Sequence, residues 1–349
     1  MSAVAEPIAQ PRAGRRRLHW SVRLLGWFWL ALIVVVGGVG VALQVMGPSG
    51  SGSVGPTETS VTPPTLPPAG SPVVAIASGA IPPPDPALEE PAPLYPGLML
   101  PRVGADRRSP MQAYAAAAIP AEKRPRISIL LAGVGMNATD SDAAARNLPP
   151  AISFAISPYS YRPAALLDTA RARGHELFVS IPMEPLGYPL AEAGGQALML
   201  GASDAVIHQR LEWALSRFAG YVGATAALAP DLRGEKFEAE PAAMAPVLNE
   251  LAMRGLMFVD TRIGYGKPAA AVGRGIDIVL DDPAAVRGDI EAKLTQLEQI
   301  AHDRGSAVGL ASAPRPTTVA TLAAWAATLD ARGLALMPVS AVAPLVPPK

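Results

Sequence analysis

Short apolar runs alternate with longer amphipathic segments from Arg126 to the C-terminal region of the chain. The apolar runs are too short for helices, so they predict buried strands. The predicted strands cover residues 127–131, 152–156, 176–181, 223–227, 257–260, 276–280, 307–310 and 335–339. The amphipathic segments predict helices over residues 141–147, 163–173, 204–218, 242–254, 283–304 and 318–332. Strands that alternate with helices pair in parallel through right-handed crossovers, and about eight strands in roughly 220 residues favour a compact (β/α) barrel.

An Arg-Gly pair closes four of the predicted helices and immediately precedes a predicted strand each time. The pairs are Arg173-Gly174, Arg254-Gly255, Arg304-Gly305 and Arg332-Gly333. Glycine adopts the left-handed conformation that ends a helix, and arginine complements the negative end of the helix dipole. The repetition indicates that one helix-to-strand connection is used four times. At the start of another predicted helix, Asp282 and Pro283 predict an N-cap followed by proline in the first turn.

An uncharged apolar run at residues 24–46 precedes this region. Its length of about 23 residues suffices for a helix to cross a hydrocarbon core of about 30 Å. Arginines crowd before the run, and none follows it until Arg102; those before it are Arg12, Arg15, Arg16, Arg17 and Arg23. The positive-inside rule therefore predicts a single-pass inner-membrane protein with residues 1–23 in the cytoplasm and the C-terminal domain in the periplasm. A cleaved signal peptide is the alternative, but its apolar core is normally only about 7–15 residues long.

Residues 47–125 are rich in Pro, Gly, Ser, Thr and Ala and show no sustained periodicity. This composition predicts a disordered linker, on which short apolar pieces such as residues 73–76 and 98–100 could dock against the following domain. A globular domain is predicted over residues 126–344, with a short Pro-rich tail at 345–349.

Charge and cysteine content exclude several classes of function. The chain has 29 basic and 29 acidic residues, so it lacks the positive charge of a typical nucleic-acid binder. It contains no cysteine, which excludes disulfides, thiol nucleophiles and cysteine-ligated zinc. Only four histidines are present, at His19, His175, His208 and His302, and none has a partner at the H-x-x-x-H spacing of a helical metal site.

Several motifs in the predicted domain resemble the divergent polysaccharide deacetylase family of NodB-like deacetylases. They are R-I-S-I-L-L with its G-x-G turn, L-P-P-A-I-S-F-A-I-S-P-Y at 148–159, A-R-G-H-E-L-F-V-S-I-P-M-E-P at 172–185, R-G-L-M-F-V-D-T-R at 254–262, I-V-L-D at 278–281 and P-V-S at 338–340. Their order and spacing follow the family along the whole domain. The resemblance implies a deformed (β/α) barrel with its functional residues at the carboxyl ends of the strands.

The resemblance also implies a chemistry, in which Asp and His hold a divalent metal such as zinc and a second acid serves as base for attack of water on an acetyl group. The positions expected to supply these groups carry small residues instead: Ala132, Gly133, Ser180, Ala227 and Ser312. None of these side chains can act as a metal-ligating imidazole or carboxylate. We therefore expect no metal cofactor and no confident catalytic residue.

Acidic and basic residues do remain at the predicted strand ends. Met183 and Glu184 in P-M-E-P, and Asp260 and Arg262 in D-T-R, are the predicted rim or substrate-binding residues. Glu184, Asp260 and Asp281 are weak candidates for catalysis. The Asp260-x-Arg262 pair is interpreted in two ways, as substrate positioning or as an internal ion pair that fixes the barrel rim.

Three hypotheses follow from these residues. The first is a membrane-anchored, catalytically inactive deacetylase-like module that binds an envelope glycan or an envelope protein. The second is an active deacetylase or related hydrolase with a rearranged site built from Glu184, Asp260 and Asp281. The third is a scaffold in which the Pro-rich linker, rather than the barrel, binds partners.

Overall fold

The computed structural model describes residues 79–118, 122–264 and 271–343, and strands dominate its centre. The strands are β1 (Glu89–Pro91), β2 (Met99–Pro101), β3 (Arg126–Val134), β4 (Ser153–Ile156), β5 (Leu177–Ser180), β6 (Gly223–Thr225), β7 (Met257–Asp260), β8 (Gly273–Gly275), β9 (Ile278–Val279), β10 (Ser306–Ala311) and β11 (Ala335–Leu336). β1 and β2 form an antiparallel hairpin, and β3–β11 form one parallel sheet. Each of the eight predicted strands overlaps a strand of this sheet. β8 was not predicted, because its sequence G-R-G carries no apolar side chain.

The parallel sheet curls towards closure. Its neighbour order is β8-β7-β6-β5-β4-β3-β10-β9, and β11 pairs with the first residues of β3. Only Ile276 and Asp277 separate the two edge strands, β8 and β9, along the chain. The Ile276 N–H donates to the Asp260 carbonyl of β7 (3.1 Å), whereas the Asp277 N–H donates to the Val308 carbonyl of β10 (2.8 Å). Adjacent residues are only about 3.8 Å apart, so the two edges must approach each other. This geometry fits the predicted deformed (β/α) barrel.

The strands bury both of their faces. Alternate residues of β3 belong to different cores: Ile129 and Leu131 pack in the layer under the helices, whereas Leu130 and Ala132 pack with Phe178 inside the curled sheet. Both sets are fully buried. Strands buried on two faces read as continuous apolar runs, which explains why the strands were recognisable from the sequence.

Most of the helices cover the outside of the sheet, whereas those that hold Tyr114, Val339 and Val342 pack into the core inside the curled sheet. The helices are α1 (Pro110–Tyr114), α2 (Ala138–Asn147), α3 (Ala164–Ala172), α4 (Asp204–Leu215), α5 (Glu235–Glu238), α6 (Pro241–Met253), α7 (Arg287–Arg304), α8 (Pro316–Ala326) and α9 (Val339–Val342). The predicted Arg-Gly connections are confirmed, because Gly174, Gly255, Gly305 and Gly333 all have φ between 68° and 86°. These glycines end the helical turns before β5, β7, β10 and β11.

The predicted cap at Asp282 is wrong. α7 begins at Arg287, with Val286 at the N-cap position and without a side-chain cap. The Asp282 carboxylate instead accepts a hydrogen bond from Arg233 Nη2 (3.2 Å), and its carbonyl accepts one from Lys293. A long-range ion pair thus replaced the local capping interaction that the dipeptide favours.

Part of the predicted linker is folded. Residues 79–118 include the β1–β2 hairpin and α1, and they pack against the amino ends of the barrel strands. Tyr114 is buried with the interior core, and the Arg254 guanidinium bonds Glu90 (2.8 Å) and the Pro101 carbonyl (2.8 Å). The linker prediction is therefore corrected for this segment: its apolar residues gain enough buried contact to offset the entropy of ordering.

The other N-terminal predictions lie outside the described residues. These are the basic segment 1–23, the apolar run 24–46 and residues 47–78, as well as the tail 345–349. Within the described parts of the chain, none of the helices combines the length and apolarity that a membrane crossing requires.

Candidate functional site at the barrel mouth

The carboxyl ends of the parallel strands form one end of the barrel, which we call the mouth. Loops after β3, β4, β5, β6, β7, β9 and β10 meet there through hydrogen bonds and close contacts between neighbouring loops. In parallel α/β folds this end carries the functional side chains, because the loops are free to vary while the strands stay fixed. The five positions where the resemblance implies metal ligands or base, and the four candidate rim residues, all lie at or just after these strand ends.

Ser180 and Ala227 lie in direct contact on one side of the mouth. Ser180 is the last residue of β5, and its hydroxyl donates to the Ala227 carbonyl (2.8 Å). Both residues are fully buried. The Ser180 hydroxyl is therefore engaged with the backbone and does not point towards a ligand.

Gly133 and Ser312 approach each other on the other side of the mouth. Gly133 has φ of +68°, and a Cβ at this position would lie 3.0 Å from the Ser312 carbonyl oxygen. The Asp281 carboxylate holds the same loop, since it accepts hydrogen bonds from the backbone N–H groups of Ser312 (2.7 Å) and Ala313 (3.3 Å). Asp281, a candidate catalytic acid, thus acts as a backbone anchor, and no carboxylate fits at Gly133 without moving the loop.

We expect Gly133→Ala to destabilise the fold by about 2–4 kcal/mol, because the new methyl group combines a left-handed backbone with a tight carbonyl contact. Gly333→Ala is the matched control: Gly333 has φ of +72°, and a Cβ there meets nothing within 4 Å. The control should lower the free energy of unfolding by only about 1 kcal/mol, because only the left-handed backbone opposes the new methyl group. Urea unfolding followed by far-UV ellipticity measures both values. Equal losses would mean that the close packing between Gly133 and Ser312 contributes nothing.

The P-M-E-P turn after β5 places its two candidate residues in different environments. Met183 is buried in the outer core, with 1% of its surface exposed, and packs against Gly234. It is therefore a core residue and does not line the rim. The Glu184 carboxylate accepts hydrogen bonds from Lys236 Nζ and from the Leu200 N–H (2.8 Å). Lys236 also lies 5.8 Å from the centre of the Tyr188 ring, so a Glu184–Lys236–Tyr188 cluster forms one edge of the mouth.

Asp260 and Arg262 form an ion pair at the end of β7. The guanidinium donates from Nη2 (2.6 Å) and Nε (3.0 Å) to the two carboxylate oxygens. The Arg262 N–H adds a third bond to Asp260 (2.9 Å). This geometry matches the interpretation of the D-T-R motif as an internal pair that fixes the rim.

Glu238 is a mouth residue that the sequence analysis missed. It lies on α5, is 2% exposed, and accepts hydrogen bonds from the backbone N–H (3.1 Å) and the hydroxyl of Thr261. Burial, reinforced by the negative charge of Asp260, raises the pKa of Glu238 to about 8. The only signal in the sequence is its place in the charged segment R-G-E-K-F-E after β6, which gives no indication of burial.

None of the three histidines in the described part of the chain is among the mouth residues above. His175 is buried at the opposite end of β5, stacked on Phe154 at 4.1 Å, with its ring nitrogens 2.9 Å and 3.2 Å from the Ile152 and Ala145 carbonyls. Burial lowers the pKa of His175. His208 lies on α4 and His302 on α7, as predicted.

The residues present do not fit the divalent metal that the resemblance implies. A catalytic zinc site needs about three protein ligands that converge on one point. Throughout residues 79–118, 122–264 and 271–343, no three Asp, Glu or His side chains are grouped so that they could hold a metal ion. The positions where the resemblance implies metal ligands carry two alanines, a glycine and two serines. The hydroxyl of one of these serines, Ser180, is already bonded to a backbone carbonyl.

Comparisons with known proteins agree with the motifs and the barrel. A family model described as divergent polysaccharide deacetylase matches residues 129–343. An uncharacterized protein from Haemophilus influenzae is 30% identical over 206 residues, which cover 57% of this chain and 70% of that protein. The crystal structure of an uncharacterized protein from Agrobacterium tumefaciens C58 has a TM-score of 0.64 and 31% identity, and the match covers 70% of this chain and 99% of that one. The chain therefore belongs to the divergent polysaccharide deacetylase family.

Proposed function

We propose that the protein is a membrane-anchored envelope protein whose barrel binds carbohydrate at its mouth and does not catalyse metal-dependent deacetylation. One observation carries this proposal. The positions where the family resemblance implies metal ligands and base are filled by Ala132, Gly133, Ser180, Ala227 and Ser312. Ser180 is bonded to the Ala227 carbonyl, Gly133 lies close to the Ser312 carbonyl, and Ala132 is buried in the interior core. The barrel around them stays intact, which favours a retained binding role over a retained reaction.

The rim offers groups suited to a sugar. Tyr188 and Tyr161 are 43% and 81% exposed, and aromatic faces of this kind stack on the apolar faces of sugar rings. The Lys236 ammonium and the Arg262 guanidinium lie at the same end of the barrel and can donate hydrogen bonds to hydroxyl groups. The buried Ser312 hydroxyl has no hydrogen-bond partner among the described residues and adds one polar group at the centre.

The anchoring part of the proposal rests on the sequence. The apolar run 24–46 and the arginines before it support a single-pass inner-membrane protein with a periplasmic barrel. An envelope glycan is then the proposed partner, and an envelope protein is the alternative.

The experiment measures binding and chemistry on the same full-length preparation. We expect acetylated chitooligosaccharides or peptidoglycan fragments to bind in calorimetry, and Tyr188→Ala to weaken binding by several-fold, because the ring supplies stacking area. We expect no acetate release above the buffer rate and metal well below one equivalent per chain. Leu94→Ala, an exposed change on the N-terminal hairpin, serves as the control.

Acetate release with stoichiometric metal would contradict the proposal. It would favour the rearranged hydrolase built from Glu184, Asp260 and Asp281, in which case Glu184→Gln and Asp260→Asn should abolish turnover in protein that circular dichroism shows to be folded. Absence of any glycan binding would favour the envelope-protein partner instead.

A further inference from the structure

Two aromatic and two basic side chains meet on the flank of the barrel, where the loop after β4 contacts α4. Tyr159 of that loop packs against Trp213 of α4, with ring centres 5.1 Å apart. The Arg217 guanidinium lies 5.5 Å from the centre of the Trp213 ring. Arg210 precedes Trp213 by three residues and so neighbours it on the helix surface. Burial raises the pKa of Tyr159, and the positive charge of Arg210 opposes this rise. We call these four residues the flank cluster.

Hydrogen bonds to the loop after β5 hold the flank cluster in place. The Tyr159 hydroxyl donates to the Ala193 carbonyl (2.9 Å) and accepts from the Gln196 N–H (3.3 Å). The Arg210 guanidinium donates to the neighbouring Ala197 carbonyl. Two mouth loops and α4 therefore fix one another. A site that is already ordered can bind a ligand without the entropic cost of ordering its side chains.

The flank cluster carries positive charge that no described carboxylate neutralises. Among the described residues, neither Arg210 nor Arg217 has an ion-pair partner, and the Arg217 guanidinium has no hydrogen-bond partner. The carboxylate of Glu212, next to Trp213, is engaged elsewhere: it is 3% exposed and accepts a hydrogen bond from the backbone of the N-terminal hairpin. Glu192, next to Ala193, is exposed and adds one negative charge against two positive ones. The site therefore favours an anion.

The geometry of the cations favours a planar anion on a ring. A guanidinium stacked on an aromatic ring keeps its N–H donors free in its own plane. A carboxylate matches this arrangement with two parallel hydrogen bonds. Beside Arg217 and Trp213, Tyr159 is 38% exposed and offers aromatic surface on which a sugar ring can stack. A sugar that carries a carboxylate satisfies both features, whereas a neutral sugar leaves the charge unused.

The loop after β4 connects the flank cluster to the mouth. Tyr161, one of the aromatic residues proposed to stack on sugar, lies two residues after Tyr159. Ser160 between them packs against the loop after β3, since a Cβ on Gly135 would lie 2.6 Å from the Ser160 hydroxyl oxygen. A glycan bound at the mouth can therefore continue along this loop to the flank cluster.

We propose that the flank cluster is a second carbohydrate subsite, which binds a carboxylate-bearing sugar through Arg217 and Arg210. This inference rests on the proposed binding of carbohydrate at the mouth and names the class of glycan, which is acidic. The mouth contacts neutral sugar surface, and the flank cluster selects chains that also carry a carboxylate.

The test compares two glycans of equal length on the full-length protein by calorimetry. One is neutral N-acetylchitotetraose. The other is a peptidoglycan tetrasaccharide of alternating N-acetylglucosamine and N-acetylmuramic acid, whose lactyl groups add carboxylates. We expect the acidic glycan to bind about ten-fold more tightly, the scale of one hydrogen-bonded charge pair. Added salt should narrow this difference, because an exposed ion pair is screened.

Variants assign the preference to the site. We expect Arg217→Gln to remove the preference for the acidic glycan and to leave the affinity for N-acetylchitotetraose unchanged. Arg217→Lys keeps the charge but loses the planar donors, so it should retain only part of the preference. Arg146→Gln is the matched control, since Arg146 lies in the last turn of α2 with 56% of its side chain exposed. Thermal unfolding confirms that each variant folds.

Equal affinity of the wild type for the two glycans overturns the flank-cluster proposal and leaves carbohydrate binding at the mouth standing. Binding of neither glycan overturns both proposals. A preference that survives Arg217→Gln places the acidic sugar elsewhere and overturns the assignment of the site. Tighter binding of phosphorylated N-acetylchitotetraose than of the muramic acid glycan assigns the cluster to phosphate and overturns the carboxylate.

Discussion

Replacing Glu238 with glutamine is expected to remove a large pH dependence from the stability of the barrel. Glu238 is buried at the mouth beside Asp260, and its pKa is raised from 4.5 to about 8. The folded protein therefore keeps a proton that the unfolded chain loses, so the free energy of unfolding falls as the pH rises from about 4.5 to 8. A shift of this size corresponds to at most about 5 kcal/mol across that window. Glutamine does not titrate and should show no such fall.

The measurement is the difference in unfolding free energy between Glu238→Gln and wild type, by urea unfolding at several pH values. The difference removes the contributions of other groups, including His175, whose lowered pKa acts in the opposite direction below its usual range. Thr261→Val is the companion variant. The Thr261 hydroxyl stabilises the ionised Glu238 carboxylate, so loss of this hydroxyl should raise the pKa of Glu238 further. The free energy of unfolding should then continue to fall to a higher pH than in the wild type. A glutamine variant with the wild-type pH slope would contradict the assignment.

Replacing Glu176 with alanine is expected to cost about 3–5 kcal/mol of stability, because buried donors lose their acceptor. Glu176 lies immediately before β5, at the amino ends of the barrel strands, and is fully buried. It accepts hydrogen bonds from the Ser153 hydroxyl (2.8 Å), the Ser340 N–H (2.9 Å) and hydroxyl (2.6 Å), and the Ala116 N–H (3.4 Å). One side chain thus joins β4, α9 and the segment that follows α1.

Glu176→Gln is the control for this prediction, since the amide keeps an acceptor and the volume of the side chain. Burial raises the pKa of Glu176, so a neutral side chain is compatible with the site. We expect glutamine to cost about 1 kcal/mol, the scale of one weakened hydrogen bond, in urea unfolding of the full-length chain. Comparable losses for alanine and glutamine would assign the stability to the charge, and a negligible loss for alanine would remove the proposed role of Glu176.

Much of the barrel was predictable because its signals are local. A strand buried on both faces must be apolar along its whole length, as β3 and β10 are. Each Arg-Gly pair combines a conformation that glycine permits with a charge that the helix end favours. Local signals fail where distant contacts dominate: Asp282 was expected to cap a helix but pairs with Arg233, and residues 79–118 were assigned to a linker but pack against the barrel.

The candidate site divides in the same way. The prediction that metal ligands are missing rests on residue types alone, because Ala132, Gly133, Ser180, Ala227 and Ser312 carry no imidazole or carboxylate. The roles of the remaining acids were not visible. Asp281 holds backbone N–H groups, Glu184 pairs with Lys236, and Glu238 carries the perturbed pKa, and each of these depends on neighbours from other elements.

The sequence by itself determined the family, the order of eight strands and six helices of the barrel, and the absence of imidazole and carboxylate side chains at the positions where the family resemblance implies metal ligands. These follow from residue identity and short-range periodicity, and both can be read from the sequence without knowledge of the fold. Only the tertiary structure decided which carboxylates are buried, which side chains meet around Trp213, and how the N-terminal segment packs against the barrel. Burial and ion pairing depend on groups more than twenty residues apart, such as Glu238 and Thr261, and a linear pattern does not encode their approach.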